Sequence, residues 1–158
     1  MQGKTVLWGL GNELLGDDAA GIIAARRIAA IAPKGWTVSE CGTVPENFLR
    51  DLAEDKAQRL IVVDAADMEL EPGEIRLLTL DDAKDFSFST HGLALSLLLE
   101  PYTDSLEIVI IAIQPLTFAP GTSLSEEAKK AVDSVVSAIP NCSWKNFPWL
   151  HQENRSPR

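Results

Sequence analysis

The chain has 158 residues, 46% of them hydrophobic and 23% charged, which suits one globular domain with a core of its own. Its formal net charge is -9 and no basic cluster occurs, which excludes nucleic acid and anionic membranes as partners, because both are held through Lys and Arg. No signal-type apolar region follows Met1 and no apolar run nears the ~20 residues of a membrane span, so a cytoplasmic protein is expected.

In chain order, residues 5–9 read as a first strand, followed by a turn carrying Gly9, Gly11 and Gly16. From Asp18 the pattern becomes helical, with Ala20, Ile23, Ala24, Ile28 and Ile31 on one face, until Pro33-Lys34-Gly35 stops it. Trp36 to Glu40 reads as a strand ending at Cys41-Gly42, and a helix is expected to begin near Pro45, a residue suited to a first helical position. Arg59 to Asp64 is the clearest strand, a continuous apolar run of the type buried on both faces of a parallel sheet, and it ends on a carboxylate. Residues 68–73 form a polar turn, and Glu74 to Leu78 alternates enough for a strand near the sheet edge.

Asp81 to Phe88 is read as a loop with room for a short helical turn. Ser89-Thr90-His91-Gly92 then opens a leucine-rich helix that ends before Pro101, with His91 in its first turn. Leu106 to Ile113 is a second buried-type strand, closed by Gln114-Pro115. The last helix has Ser125 as N-cap, Glu126 and Glu127 in its first turn, and Pro140 as its stop. This alternation gives an α/β fold: a three-layer sandwich with a mostly parallel twisted sheet and helices on both faces, a single domain over residues 1–140. Residues 141–158 lack any period and are expected to form an irregular or mobile tail packed on the surface.

A glycine-rich strand-to-helix turn normally holds phosphate, yet here Asp17 and Asp18 stand where the anion would go, which argues for a cation. A dinucleotide fingerprint would need glycine where Leu14 stands. The chain has only two histidines, His91 and His151, so it lacks an HExxH zinc site, and it has no GxSxG nucleophile elbow. Cys41 and Cys142 are too few for a disulfide framework and read as reduced thiols; a Cys41 nucleophile with His91 as base is a minor possibility.

The favoured constellation is Asp18, Asp64 and His91, at two strand ends and one helix start, where open α/β sheets bind their ligands. Two carboxylates and an imidazole suit a borderline divalent ion such as Ni²⁺ or Zn²⁺ and leave positions open. Taken singly, each has a plainer role: Asp17 or Asp18 as a helix cap, Asp64 as a polar strand end, His91 as a hydrogen-bonded helix start.

Four separated motifs shift that balance. Gly9-Leu10-Gly11-Asn12-Glu13-Leu14-Leu15-Gly16-Asp17-Asp18-Ala19-Ala20-Gly21, Val63-Asp64-Ala65, Ser89-Thr90-His91 and Ile113-Gln114-Pro115 together resemble the hydrogenase maturation endopeptidases, most closely the formate hydrogenlyase branch. Ala32 to Gly35, Pro45-Glu46-Asn47, Asp67-Met68 and Pro72 to Arg76 support the likeness, which spans roughly residues 5–140. The chain departs from the family at Cys41-Gly42, where members often carry a Gly-Gly pair.

The resemblance implies an aspartyl-type endopeptidase that removes the C-terminal extension of a [NiFe]-hydrogenase large-subunit precursor after nickel insertion. It implies that Asp18, Asp64 and His91 are the metal-binding and catalytic residues, and that the nickel is supplied by the precursor. A monomer is expected. The alternatives are a metal-binding maturation chaperone without proteolytic activity and a nucleotide-binding module.

Overall fold

Apolar runs without polar alternation belong in strands covered on both faces, and such runs form the centre of this sheet. The computed structural model describes residues 3–54, 56–85, 92–121 and 123–151. Five strands, β1 (Thr5–Leu10), β2 (Trp36–Gly42), β3 (Arg59–Ala65), β4 (Ile75–Leu78) and β5 (Glu107–Ile113), pair in the order β2-β1-β3-β5-β4. The first four in that order run parallel, and β4 is antiparallel to β5 at one edge. Gly9 is level with Val63, and Asp64 with Ala112.

The helices are α1 (Ala20–Ile31), α2 (Leu49–Glu54), α3 (Leu80–Asp85), α4 (Gly92–Leu99) and α5 (Glu126–Ala138). Side chains alternate across each strand, so the sheet feeds two cores. Leu7, Ile61, Val63 and Ile111 pack with Ala24 and Ile28 of α1 and Val132 and Val135 of α5. Val6, Trp8, Leu60, Val62 and Ile110 pack on the other face with Leu52 of α2, Ala83 of α3, and Leu95 and Leu99 of α4. This is the expected α/β fold with helices on both faces. No helix among the described residues is long and apolar enough to cross a membrane.

Several boundaries differ from the pattern reading. The first helix is preceded by a 3-10 turn, Gly16–Ala19, and ends with Ala32 in the left-handed region ahead of Pro33. Pro45 starts a 3-10 turn, Pro45–Phe48, that leads into the short α2. The loop expected from Asp81 is helical at its start, because Thr79 and Asp82 cap α3 reciprocally. The Thr79 N–H donates to Asp82 Oδ2 at 2.9 Å, and the Asp82 N–H to Thr79 Oγ1 at 3.1 Å.

The segment after Pro140, expected to be irregular or mobile, is fixed to the body as far as the structure describes it. Trp144 is 2% exposed and joins the α1/α5 core. Leu77 of β4 donates its N–H to the Pro148 carbonyl at 2.8 Å and accepts from the Leu150 N–H at 3.0 Å. Trp149 thereby forms a parallel bridge with Leu77, covering the edge strand.

Candidate active site

Two glycines set the position of α1. A Cβ on Gly21 would lie 2.2 Å from the Val63 carbonyl oxygen and 2.4 Å from that of Leu10, and one on Gly9 would lie 2.3 Å from the Gly21 oxygen. Only hydrogen fits there, so the helix start lies directly on β1 and β3. The 3-10 turn just before it carries Asp18 to the carboxyl ends of these strands. Successive connections leave β1 towards β2 and β3 towards β5, so β1 and β3 flank the switch point at which open α/β sheets form their ligand crevice.

Asp18 and Asp64 are each 1% exposed in this crevice. The Asn12 N–H donates to Asp18 Oδ2 at 2.9 Å, and the Asn12 side chain accepts from the Leu14 N–H at 2.9 Å, folding the turn around the carboxylate. Gly11, at φ +134°, closes that turn. A Cβ there would meet the Asp18 carbonyl oxygen at 1.8 Å, and its N–H donates to the Gly42 carbonyl at 3.0 Å. Asp64 Oδ1 accepts from the Ala65 N–H at 2.9 Å. Burial holds the Asp64 carboxyl well above the usual carboxylate range, and the charge of Asp18 adds to this against the opposing Ala65 N–H.

A buried carboxyl beside a second one is costly to ionise, and a divalent cation between the two favours the charged form of both. The oxygen donors therefore fit a cation. His91 lies outside the described residues. Among those residues no group of three or more His, Cys, Asp or Glu side chains stands together as a metal site, so the carboxylate pair is the part of the expected constellation that the fold brings together.

The neighbouring aspartate has a different task. Asp17 is fully buried and accepts from the Leu116 N–H at 2.8 Å, the Ser125 N–H at 2.7 Å and the Ser125 hydroxyl at 2.7 Å. Ser125 Oγ in turn caps α5 by accepting from the Ala128 N–H at 3.1 Å. The N-cap positions of the 3-10 turn and of α1 are Leu15 and Ala19, so neither Asp17 nor Asp18 occupies the capping position that the plainer expectation gave it.

Gln114, to which the sequence gives no role beyond closing β5, holds the segment that follows β3. Its Oε1 accepts from the Met68 N–H at 2.7 Å and the Leu70 N–H at 3.3 Å, and its Nε2 donates to Asp67 at 3.2 Å. The available signal was a polar residue ending an apolar strand, the same signal that marks Asp64. Cys41 is 1% exposed among Val6, Leu10 and Leu52. Burial, and then the Asp51 charge, push its thiol far up, so it stays protonated and is no nucleophile.

The profile of the hydrogenase maturation protease family matches residues 24–141. The hydrogenase 3 maturation protease of Escherichia coli K12 is 39% identical over 137 residues, which cover 85% of this chain and 87% of that protein. The chain belongs to the hydrogenase maturation protease family. The solution structure of the endopeptidase HycI from E. coli matches this maturation protease with a TM-score of 0.84 at 33% identity, over 96% of this chain and 99% of the other. The crystal structure of the [NiFe] hydrogenase maturation protease HycI from Thermococcus kodakarensis KOD1 matches with a TM-score of 0.73 at 25% identity, over 87% and 90% of the two chains. As a family member, this maturation protease hydrolyses peptide bonds, and a chaperone without proteolytic activity is not favoured.

Proposed function

We propose that this maturation protease removes the C-terminal extension of a [NiFe]-hydrogenase large-subunit precursor after nickel insertion, with Asp18, Asp64 and His91 meeting nickel that the precursor carries. The observation that supports this most directly is the buried pair Asp18 and Asp64 at the switch-point crevice. Acids so placed are poorly stabilised alone and well stabilised by a bound cation. The ion belongs to the substrate, so only a loaded precursor completes the site.

Hydrolysis adds water across the scissile amide, breaks its C–N bond, and leaves a new carboxylate and a new amine. An aspartyl-type route has a carboxylate of the pair accept the proton of the attacking water. Asn12 and Ala65 N–H groups hold the two acids in position throughout. The proposal includes a monomeric, cytoplasmic enzyme.

Metal-stripped enzyme incubated with nickel-loaded and nickel-free precursor, each followed by mass shift, tests this. The loaded form should lose its extension without added metal, and the nickel-free form should keep it. Efficient cutting of the nickel-free form would show that the ion is not the recognition element.

A further inference from the structure

Basic residues scattered along the sequence meet in space at the amino end of the sheet, the end opposite the carboxylate pair. A cavity of about 420 Å³ there is walled by Thr5, Lys34, Trp36, Arg59, Cys142 and Lys145. Among the described residues no acidic side chain lines it, in a protein of net charge -9. Strand register builds its floor. Thr5 is level with Trp36 on one side and Arg59 on the other, and each is the first residue of its strand. Level residues of neighbouring parallel strands point to the same face, here that of Leu7 and Ile61, two positions further along β1 and β3. Lys34 comes from the turn before β2, and Lys145 from the 3-10 turn Ser143–Asn146, which Cys142 enters in the left-handed region at φ 59°.

Arg59 gives Nε and one Nη to Glu107, both at 3.1 Å, and its guanidinium lies 5.3 Å from the centre of the Trp144 ring. Lys145 lies 5.8 Å from the same centre. Neither Lys34 nor Lys145 forms an ion pair among the described residues. Three cations against the Glu107 carboxylate leave a local surplus of two positive charges. Thr5 is 4% exposed, and its hydroxyl neither gives nor takes a hydrogen bond among the described residues. Gathered like charges and an unmatched buried hydroxyl are both relieved by one anion with several oxygens.

We propose that this cavity binds a small phosphate-bearing anion, with Lys34, Arg59 and Lys145 on its oxygens and the Thr5 hydroxyl donating to one of them, and that the bound anion fastens the segment after α5 to β1 and β3. Phosphate carries about -1.5 to -2 charges near neutral pH, which matches the surplus. Trp36 offers an aromatic wall to a planar ring attached to the phosphate. The cavity and Asp64 are separated by five residues of β3, about 17 Å at the usual rise, well beyond a Debye length of about 8 Å. Occupancy should therefore leave peptide-bond cleavage alone.

The test is calorimetric titration of the whole protein with inorganic phosphate and, separately, with AMP, at fixed ionic strength. Saturable binding of one anion per chain is expected. Lys34 and Lys145 are exposed, so Lys34→Gln and Lys145→Gln keep the fold, and each should weaken binding about tenfold or more. Thr5→Val should weaken it about threefold or more, with Thr5→Ser restoring it. Lys84→Gln, on α3 against the other face of the sheet, should stay within about twofold of wild type. At phosphate ten times its Kd, hydrogen exchange should slow about tenfold at the Leu77 and Leu150 amides, which join β4 to the segment after α5.

Tighter binding of AMP than of inorganic phosphate assigns the site to a ring-bearing phosphomonoester, and equal or weaker binding assigns it to free phosphate. Absence of saturable binding of either probe up to about 10 mM overturns the proposal. So does an equal loss in Lys84→Gln and Lys34→Gln, which marks a diffuse charge effect. Binding without slower exchange at Leu77 and Leu150 overturns the fastening. Nickel-loaded precursor should be processed by Lys34→Gln within about twofold of the wild-type rate, so failure of this site and failure of the proteolytic reading are told apart.

Discussion

The α-carbon of Gly21 packs so closely on the carbonyl of Val63 that a Cβ would stand 2.2 Å from the oxygen. This contact, one residue before Asp64 and three after Asp18, fixes the spacing of the two acids. Gly21→Ala should therefore push α1 off β3. We expect a loss of about 1–3 kcal/mol, the usual scale of overpacking, in urea denaturation, together with slower precursor processing. Unchanged stability with unchanged processing would show that the spacing tolerates a methyl group.

Asp17 and Asp18 should fail in different ways. Asp17→Ala strips a charged acceptor from two N–H groups and a hydroxyl, and should cost about 3 kcal/mol or more in stability. Asp18→Asn should leave the melting temperature close to wild type and reduce processing by about 100-fold or more. A destabilised Asp18→Asn alongside an unaffected Asp17→Ala would reverse the two assignments.

Asp64 gives the metal-free enzyme a pH signature of known sign. Its folded pKa is raised above the ordinary 3.8, so the folded state keeps a proton that the unfolded state has released. Unfolding free energy from this group is thus highest in acid and falls as pH rises from about 4 through the folded pKa. Asp64→Asn should remove that slope and be the more stable protein at neutral pH, while processing is lost. Parallel stability curves for both proteins between pH 4 and pH 8 would refute the burial effect.

Cys41 should be chemically silent. Cys41→Ala is expected to process precursor at close to the wild-type rate, losing about 1 kcal/mol for a small core cavity. In the native protein the Cys41 thiol should resist iodoacetamide near pH 8 and react once urea unfolds the chain. Rapid native labelling together with loss of processing in Cys41→Ala would restore the cysteine route.

Trp144→Ala should cost about 3–5 kcal/mol, as expected for truncating a buried aromatic. A calorimetric melt measures it, and a shift near zero would return this segment to the surface role expected from its sequence.

What was legible in the sequence and what was not separate along physical lines. Long apolar runs such as Leu60 to Val63 declare buried parallel strands, and a carboxylate ending such a run, Asp64, declares a polar need at that place. Periodicity says nothing about which of two adjacent aspartates faces the crevice, because that depends on the 3-10 turn Gly16–Ala19 rotating Asp17 towards Ser125. Nor does it reveal the bridge between Leu77 and Trp149, since two backbone hydrogen bonds to an edge strand require no side-chain pattern. The capping pair of Thr79 and Asp82 is missed when the stretch from Asp81 reads as a loop, because aspartate stands in the place more often held by glutamate. The approach of Gly21 to Val63 was visible only as a glycine in a helical pattern, because a close backbone contact between distant segments leaves no local trace.

The seal on β4 also orders events during synthesis. Leu77 leaves the ribosome well before Pro148 and Leu150, the residues that satisfy the outer side of its backbone. Until they follow, the nascent chain presents an open strand beside a finished sheet, the arrangement from which strands of neighbouring chains pair wrongly. A ribosome stalled after α5 would hold that edge uncovered, and its product would fall to chaperones and proteases rather than join the pool of working enzyme.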